Sequence, residues 1–284
     1  MKRSIVLLLV AFCGLPAFGA ELRPPAQVVA GTAFSIQSSG AGEATFYLIG
    51  PAVVSKRKVQ LGSDISVQPD EIERAGRYTA IVCDGSCTAS VFTVQAATPF
   101  RISLLVHPSR VPVDDPNSMS AVAFLFDRFH NLVMTPQQVN FNVVPRSGSS
   151  ISEKRETENG VAWIRMSSGR QEGAVKIGAS AGKADELRVV QQIAADACNL
   201  KIKGAWNSHN FWVETDPVRD CAGNNVPDGT VVSFTKTDAA GKTTVDVPIK
   251  KGIAKVQMPI AGGAHITVAS GVVTGNELNV AGGQ

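Results

Sequence analysis

The chain has 284 residues, of which 44% are hydrophobic and 18% charged, with a formal net charge of +3. Lys2 and Arg3 supply two of those charges, and about +1 remains without them, too little for a nucleic-acid or anionic-membrane surface. After the first segment no stretch approaches about 20 apolar residues, so no transmembrane helix is expected in the mature chain.

Residues 1–20 read as a signal peptide. Lys2 and Arg3 form the basic start, Ile5 to Phe12 the apolar run, and Pro16 breaks that run before the small-residue pattern Ala17-Phe18-Gly19. Cleavage after Gly19 or Ala20 sends the remainder out of the cytoplasm, to the periplasm, the medium or the cell surface. Cys13 raises a lipoprotein alternative, but Phe12 stands where a small residue would precede a lipidated cysteine.

Residues 21–97 carry short runs of strand-forming residues. Phe34-Ser35-Ile36, Ala44 to Ile49, Tyr78 to Val82 and Ser90 to Val94 are predicted strands. Asp70 to Ala75 has room for one helical turn. The dense basic run Lys56-Arg57-Lys58 fits a solvated turn or strand edge and calls for no partner. Four cysteines follow the signal, Cys83, Cys87, Cys198 and Cys221, and an even count in an exported chain reads as two disulfides. Sequence proximity favours Cys83–Cys87, pinning the turn Asp84-Gly85-Ser86, and Cys198–Cys221. The second bridge closes a loop of about 24 residues and contributes roughly 3 kcal/mol on the chain-entropy model. A four-cysteine zinc site is the alternative, and the spacing lacks the paired C-x-x-C knuckles it needs.

Residues 98–194 and 195–284 repeat one another. Asp127-Arg128-Phe129-His130-Asn131 lies 93 positions before Asp220-Cys221-Ala222-Gly223-Asn224. Val139 and Phe141 meet Val232 and Phe234 at the same offset. Gly160-Val161-Ala162-Trp163-Ile164-Arg165-Met166 then matches Gly252 to Met258, and Glu186 to Val189 matches Glu277 to Val280. Ala162, Ile164 and Met166 alternate with Trp163 and Arg165, as Ala254, Val256 and Met258 alternate with Lys255 and Gln257. A period of two with one apolar face is a half-buried strand. Gly160 and Gly252 precede these strands, where a tight turn with positive φ suits glycine. Short strands broken by Gly, Pro, Asn and Asp point to an all-β chain of three tandem immunoglobulin-like β-sandwich domains after a cleaved signal peptide. The short links near Ala96–Pro99 and Ala194–Ala197 leave little slack, so a stiff, elongated string is expected.

The third segment resembles the bacterial Ig-like repeats of the invasin and intimin type, through Asp220, Gly223-Asn224, Val231-Val232-Ser233-Phe234 and Gly252-Ile253-Ala254. The second is similar, with Asp127, Asn131, Val139-Asn140-Phe141 and Gly160-Val161-Ala162, but His130 stands in place of the turn glycine. The first segment is Ig-like only in general style. The resemblance implies an extracellular or periplasmic protein that builds stalks or presents binding surfaces, with an envelope or cell-surface protein as partner. The chain shows neither a membrane β-barrel segment nor a lectin-like tip domain, so location and fold are better supported than adhesion itself.

Nothing in the pattern supports catalysis, and no cofactor is implied. His107, His130, His209 and His265 occur singly, without the i, i+4 spacing of a metalloprotease helix. A triad could assemble from distant positions, yet no Gly-x-Ser-x-Gly elbow raises that reading. Asp114-Asp115-Pro116-Asn117 is an Asx-Pro turn before it is an interdomain calcium corner, because no second acidic cluster supports the ion. No glycine-rich phosphate loop opens a helix. Trp206, Phe211 and Trp212 lie among Asn207, Ser208, His209 and Asn210; exposed together they would suit a glycan, and buried they would fill the third core. Trp163, facing away from Ala162 and Ile164, is the candidate for an exposed or interdomain contact. The expected function is a non-enzymatic interaction or spacer module, with a carbohydrate-binding protein as the alternative.

Overall fold

The structure, a computed structural model, describes residues 20–146, 148–208 and 210–282. The signal peptide and Cys13, together with His209, lie outside the described residues. The chain divides into two compact units. One holds the residues up to Phe100 together with Phe126–Met134, and the other holds Arg101–Leu125 together with Thr135 onward.

The first unit contains one sandwich, built from β1 (Glu21–Arg23), β2 (Gln27–Val29), β3 (Phe34–Ser39), β4 (Glu43–Gly50), β5 (Val53–Gln60), β6 (Ile65–Val67), β7 (Gly76–Cys83) and β8 (Cys87–Gln95). A three-stranded sheet, β1-β3-β6, faces a five-stranded one, β2-β8-β7-β4-β5. Strict alternation supplies the core: Leu22, Ile36, Ile65 and Val67 from one sheet meet Phe46, Leu48, Tyr78, Ala80, Val82 and Phe92 from the other. Tyr78 is buried near the start of β7, and its hydroxyl donates to the Arg74 carbonyl at 2.9 Å, a tyrosine corner. The ring fits because residue 50 is glycine; a Cβ there would stand 2.1 Å from it. The helical turn expected at 70–75 is a 3₁₀ turn, Pro69–Ile72. The basic run lies on the edge strand β5. Lys56 and Lys58 are exposed, whereas Arg57 lies over the Phe46 ring and binds the Glu71 carboxylate at 2.5 Å. That arginine is structural rather than solvated.

The second unit contains two sandwiches. The strands of the first of these are β9 (Arg101–His107), β10 (Arg110–Pro112), β11 (Met119–Phe126), β12 (Gln138–Val144), β13 (Ile151–Glu156), β14 (Val161–Met166), β15 (Gly173–Ala181) and β16 (Ala184–Ile193). They form the sheets β14-β11-β9 and β10-β16-β15-β12-β13. Ala162 and Ile164 point inward and Trp163 and Arg165 outward, as the alternation requires. The last sandwich has β17 (Ile202–Asn207), β18 (Asn210–Thr215), β19 (Val231–Asp238), β20 (Gly241–Pro248), β21 (Lys255–Met258), β22 (Ala264–Ser270), β23 (Val273–Thr274) and β24 (Leu278–Val280). Its sheets are β17-β18-β21 and β20-β19-β22-β23, with β24 also on β22. Gly160 and Gly252 both have φ of +80°, which only glycine adopts without strain.

Cys83 bonds Cys87 across the β7–β8 hairpin, and Cys198 bonds Cys221. The second bridge ties the segment leading into the last sandwich to that sandwich's own turn.

Candidate interaction surface

The repeated Asp-x-x-x-Asn segments fold into the same turn. Oδ1 of Asp220 accepts from the amides of Ala222 and Asn224 at 2.9 and 2.8 Å, and Oδ2 accepts from the linker amide of Ala195 at 3.1 Å. Asn224 Nδ2 donates to the Arg170 carbonyl at 2.9 Å and its Oδ1 accepts from the Glu172 amide at 3.3 Å. The last sandwich is thereby fastened to the loop before β15. Burial opposes ionisation of Asp220, but these donors, led by the Asn224 side chain, outweigh it and hold the carboxyl below its ordinary value. In the first unit Asp127 accepts from Phe129, Asn131 and Ala97 in the same pattern, and Asn131 spans the Glu73 carbonyl and the Ala75 amide. His130, at φ +65°, takes the left-handed position that Gly223 takes at +92°. Phe129 packs on the first core beside Gly31, where a Cβ would meet its ring at 2.2 Å. The sequence repeat locates both turns; their backbone partners carry no side-chain signature.

Trp163 is 61% exposed on β14, opposite Val122 of β11. Leu105 of the neighbouring β9 is 57% exposed, and Phe124 pairs with Val161. The outer face of this three-stranded sheet thus carries an apolar row that alternation would otherwise make polar. A signal was present: from Ala121 to Phe126 the strand is apolar at both parities, so this part of β11 has two apolar faces. Beside the row, between the edge strands β13 and β14, lies a cleft of about 760 Å³ lined by Trp163, Arg155, Arg165 and Glu158.

The two tryptophans of the last sandwich are not brought together. Trp206 pairs with Phe211, and Trp212 with Ala205, so the indoles lie on opposite faces of the β17–β18 sheet. Trp206 stands edge-on to the buried Phe211 ring, with centroids 5.2 Å apart, and is itself 40% exposed. Trp212 lies on the outer face under the Lys255 ammonium, which also binds Glu214 at 3.1 Å. The two indoles therefore do not form the side-by-side platform that a glycan would need: Trp206, itself exposed, leans on Phe211, and Trp212 faces outward.

Little chemistry is assembled elsewhere. His265 contacts Asn279 at 3.0 Å and Glu277 at 3.3 Å on the surface. The Asp114–Asn117 turn is stitched to Ser167 and Ser168 through the amides of Asn117 and Asp115. Among the described residues no group of three or more His, Cys, Asp or Glu side chains is placed to hold a metal ion, and no helix is long and apolar enough to cross a membrane.

No family model matches the chain, and no curated protein matches it. Solved structures do. The Escherichia coli adhesin FdeC is similar over 95% of this chain and 99% of its own, with a TM-score of 0.65 and 14% identity. InvD of Yersinia pseudotuberculosis is similar over 94% and 99%, with a TM-score of 0.52 and 11% identity. Invasin, a bacterial integrin-binding protein, is similar over 92% of this chain, which spans 59% of the solved invasin chain, with a TM-score of 0.50 and 11% identity. At these identities the likeness is one of fold: tandem immunoglobulin-like sandwiches of the kind found in bacterial adhesins.

Proposed function

We propose that this chain is an exported, non-enzymatic interaction module of the bacterial envelope, with three Ig-like beads over residues 21–97, 98–194 and 195–284, that engages a protein partner in an adhesion-related role. The reading is carried by the outer face of the β14-β11-β9 sheet, where the exposed Trp163 pairs with half-buried Val122 of β11 and Leu105 is exposed on the adjoining β9. An apolar sheet face of this kind is where a partner gains most from excluding water. Two further observations support it: the disulfides suit an oxidising compartment, and chains of the same fold include adhesins.

The test is a photo-crosslinking residue at position 163 in cells exporting the chain, with the same residue at exposed Val54 as control. A discrete adduct from position 163, absent from position 54, is expected. A chain recovered from the cytoplasm with thiols open to alkylation, or no adduct from position 163, overturns the reading.

A further inference from the structure

The three sandwiches differ in one strand. In the first, β2 leaves the three-stranded sheet and pairs in parallel with the end of β8, Gln27 to Val29 against Thr93 to Gln95. In the second, β10 does the same, Arg110 to Pro112 against Gln191 to Ile193. The bonding is identical: Ala30 donates to Gln95 and Thr93 to Ala26, as Val113 donates to Ile193 and Gln191 to Ser109. Residues 24–33 and 108–118 make this detour. In the last sandwich only residues 208–209 join β17 to β18, and among the described residues no strand flanks β24 on its outer side.

The vacant position can be located by register. Phe141 pairs with Ala179, and four residues before Ala179 is Val175, which pairs with Val190. Phe234 pairs with Val268, and four residues before Val268 is Ala264, which pairs with Val280. By register Val280 thus stands where Val190 does, one position on from its sequence match to Val189. Ala281 and Gly282 stand where Gln191 and Gln192, the first two of the three residues that receive β10, stand; the counterpart of the third, Ile193, lies outside the described residues. Beside them lies a groove of about 220 Å³ walled by Gly204, Trp206, Phe211, Val280 and Ala281. In the other two sandwiches the corresponding strand supplies apolar side chains at alternate positions: Val28 packs on the first core and Ala30 is buried there, and Val111 and Val113 are buried in the second.

We propose that this open position is a docking slot for an extended segment of another polypeptide, added in parallel at Ala281–Gly282, with a Val-x-Val or Val-x-Ala pattern whose small apolar side chains enter the groove beside Trp206. The occupant's chemistry is set by the chain itself, which fills the same position twice with such a strand. Main-chain bonds supply the pairing and the alternate side chains the selectivity. The proposal deepens the interaction-module reading by naming a second surface, and it rests on that reading only for the partner's biological setting.

The probe is a peptide of residues 109–114, Ser-Arg-Val-Pro-Val-Asp, titrated into the disulfide-bonded exported chain and followed by amide and indole NMR signals. Saturable shifts confined to Ala281, Gly282, Gly204 and the Trp206 indole are expected. A peptide with Val111→Asp and Val113→Asp should bind at least about tenfold more weakly, because each change puts a charge where a small apolar side chain would be buried. The chain variant Ala281→Pro, which removes the equivalent of the Gln191 donor, should lose the shifts while its remaining spectrum is retained. Absent or scattered shifts, equal response to the Asp peptide, or an unaltered response in the Ala281→Pro chain overturn the slot. So do shifts at 281–282 that follow protein concentration alone, which would assign the surface to a second copy. Each of these results is independent of whether position 163 yields its adduct.

Discussion

Asn224 donates from one amide nitrogen to both carboxylate oxygens of Asp220, at 3.2 and 3.0 Å, and to the Arg170 carbonyl at 2.9 Å. Asp220 is buried, so the pair joins a charge that cannot be left unsatisfied to the loop of the preceding sandwich. Asn224→Ala removes the donor and leaves the carboxylate short of a partner. A loss of about 1–3 kcal/mol is expected in urea denaturation, against a change within about 0.5 kcal/mol for the exposed neighbour Asn225→Ala.

The same carboxylate sets an acid limit. Its folded-state value lies below its unfolded one, so its contribution is complete above the unfolded value, near pH 4, and is lost as pH falls through the folded value. Asp220→Asn should therefore be destabilising at pH 7, and the gap to the native chain should narrow as pH falls below about 4. Denaturation midpoints at pH 7 and pH 3 measure both.

The two bridges should differ in weight. Opening Cys198–Cys221, whose ends are 23 positions apart, by a double Cys→Ser change is expected to cost about 3 kcal/mol. Opening Cys83–Cys87, only four positions apart, constrains the unfolded chain far less and should cost less. Unfolding of the two variants under non-reducing conditions tests the order.

Tyr78 gives a local test in the first sandwich. Tyr78→Phe keeps the packing and deletes the bond to Arg74, for a loss of about 1 kcal/mol. Gly50→Ala places a methyl where the ring stands, 2.1 Å away, and should cost about 1–3 kcal/mol through overpacking. Thermal melts of both variants provide the comparison.

Much of the architecture could be read in the amino acids because sandwich strands announce themselves by parity. Ala162, Trp163 and Ile164 took the faces their alternation dictated, and Cys83 and Cys198 found their nearest partners. The surface was harder. Trp206 and Trp212 look like neighbours along the chain, but a two-residue connection at 208–209 sets 206 against 211 and sends 212 to the other side. Hairpin counting would have shown this. The Asn131 and Asn224 contacts could not be counted in that way, since each recognises backbone groups that any residue would present. Tyr78 was visible as a strand residue, and its hydroxyl contact depends on where the 3₁₀ turn delivers Arg74.

The Cys198–Cys221 bridge also determines how the last bead responds to pulling. Tension entering at residue 198 crosses to residue 221 through the sulfur atoms, so the intervening segment, which includes β17 and β18, is shielded from load. When that bead ruptures, the tether should lengthen by roughly 70–80 Å less than it does after reduction, taking about 3.3–3.6 Å for each residue spared.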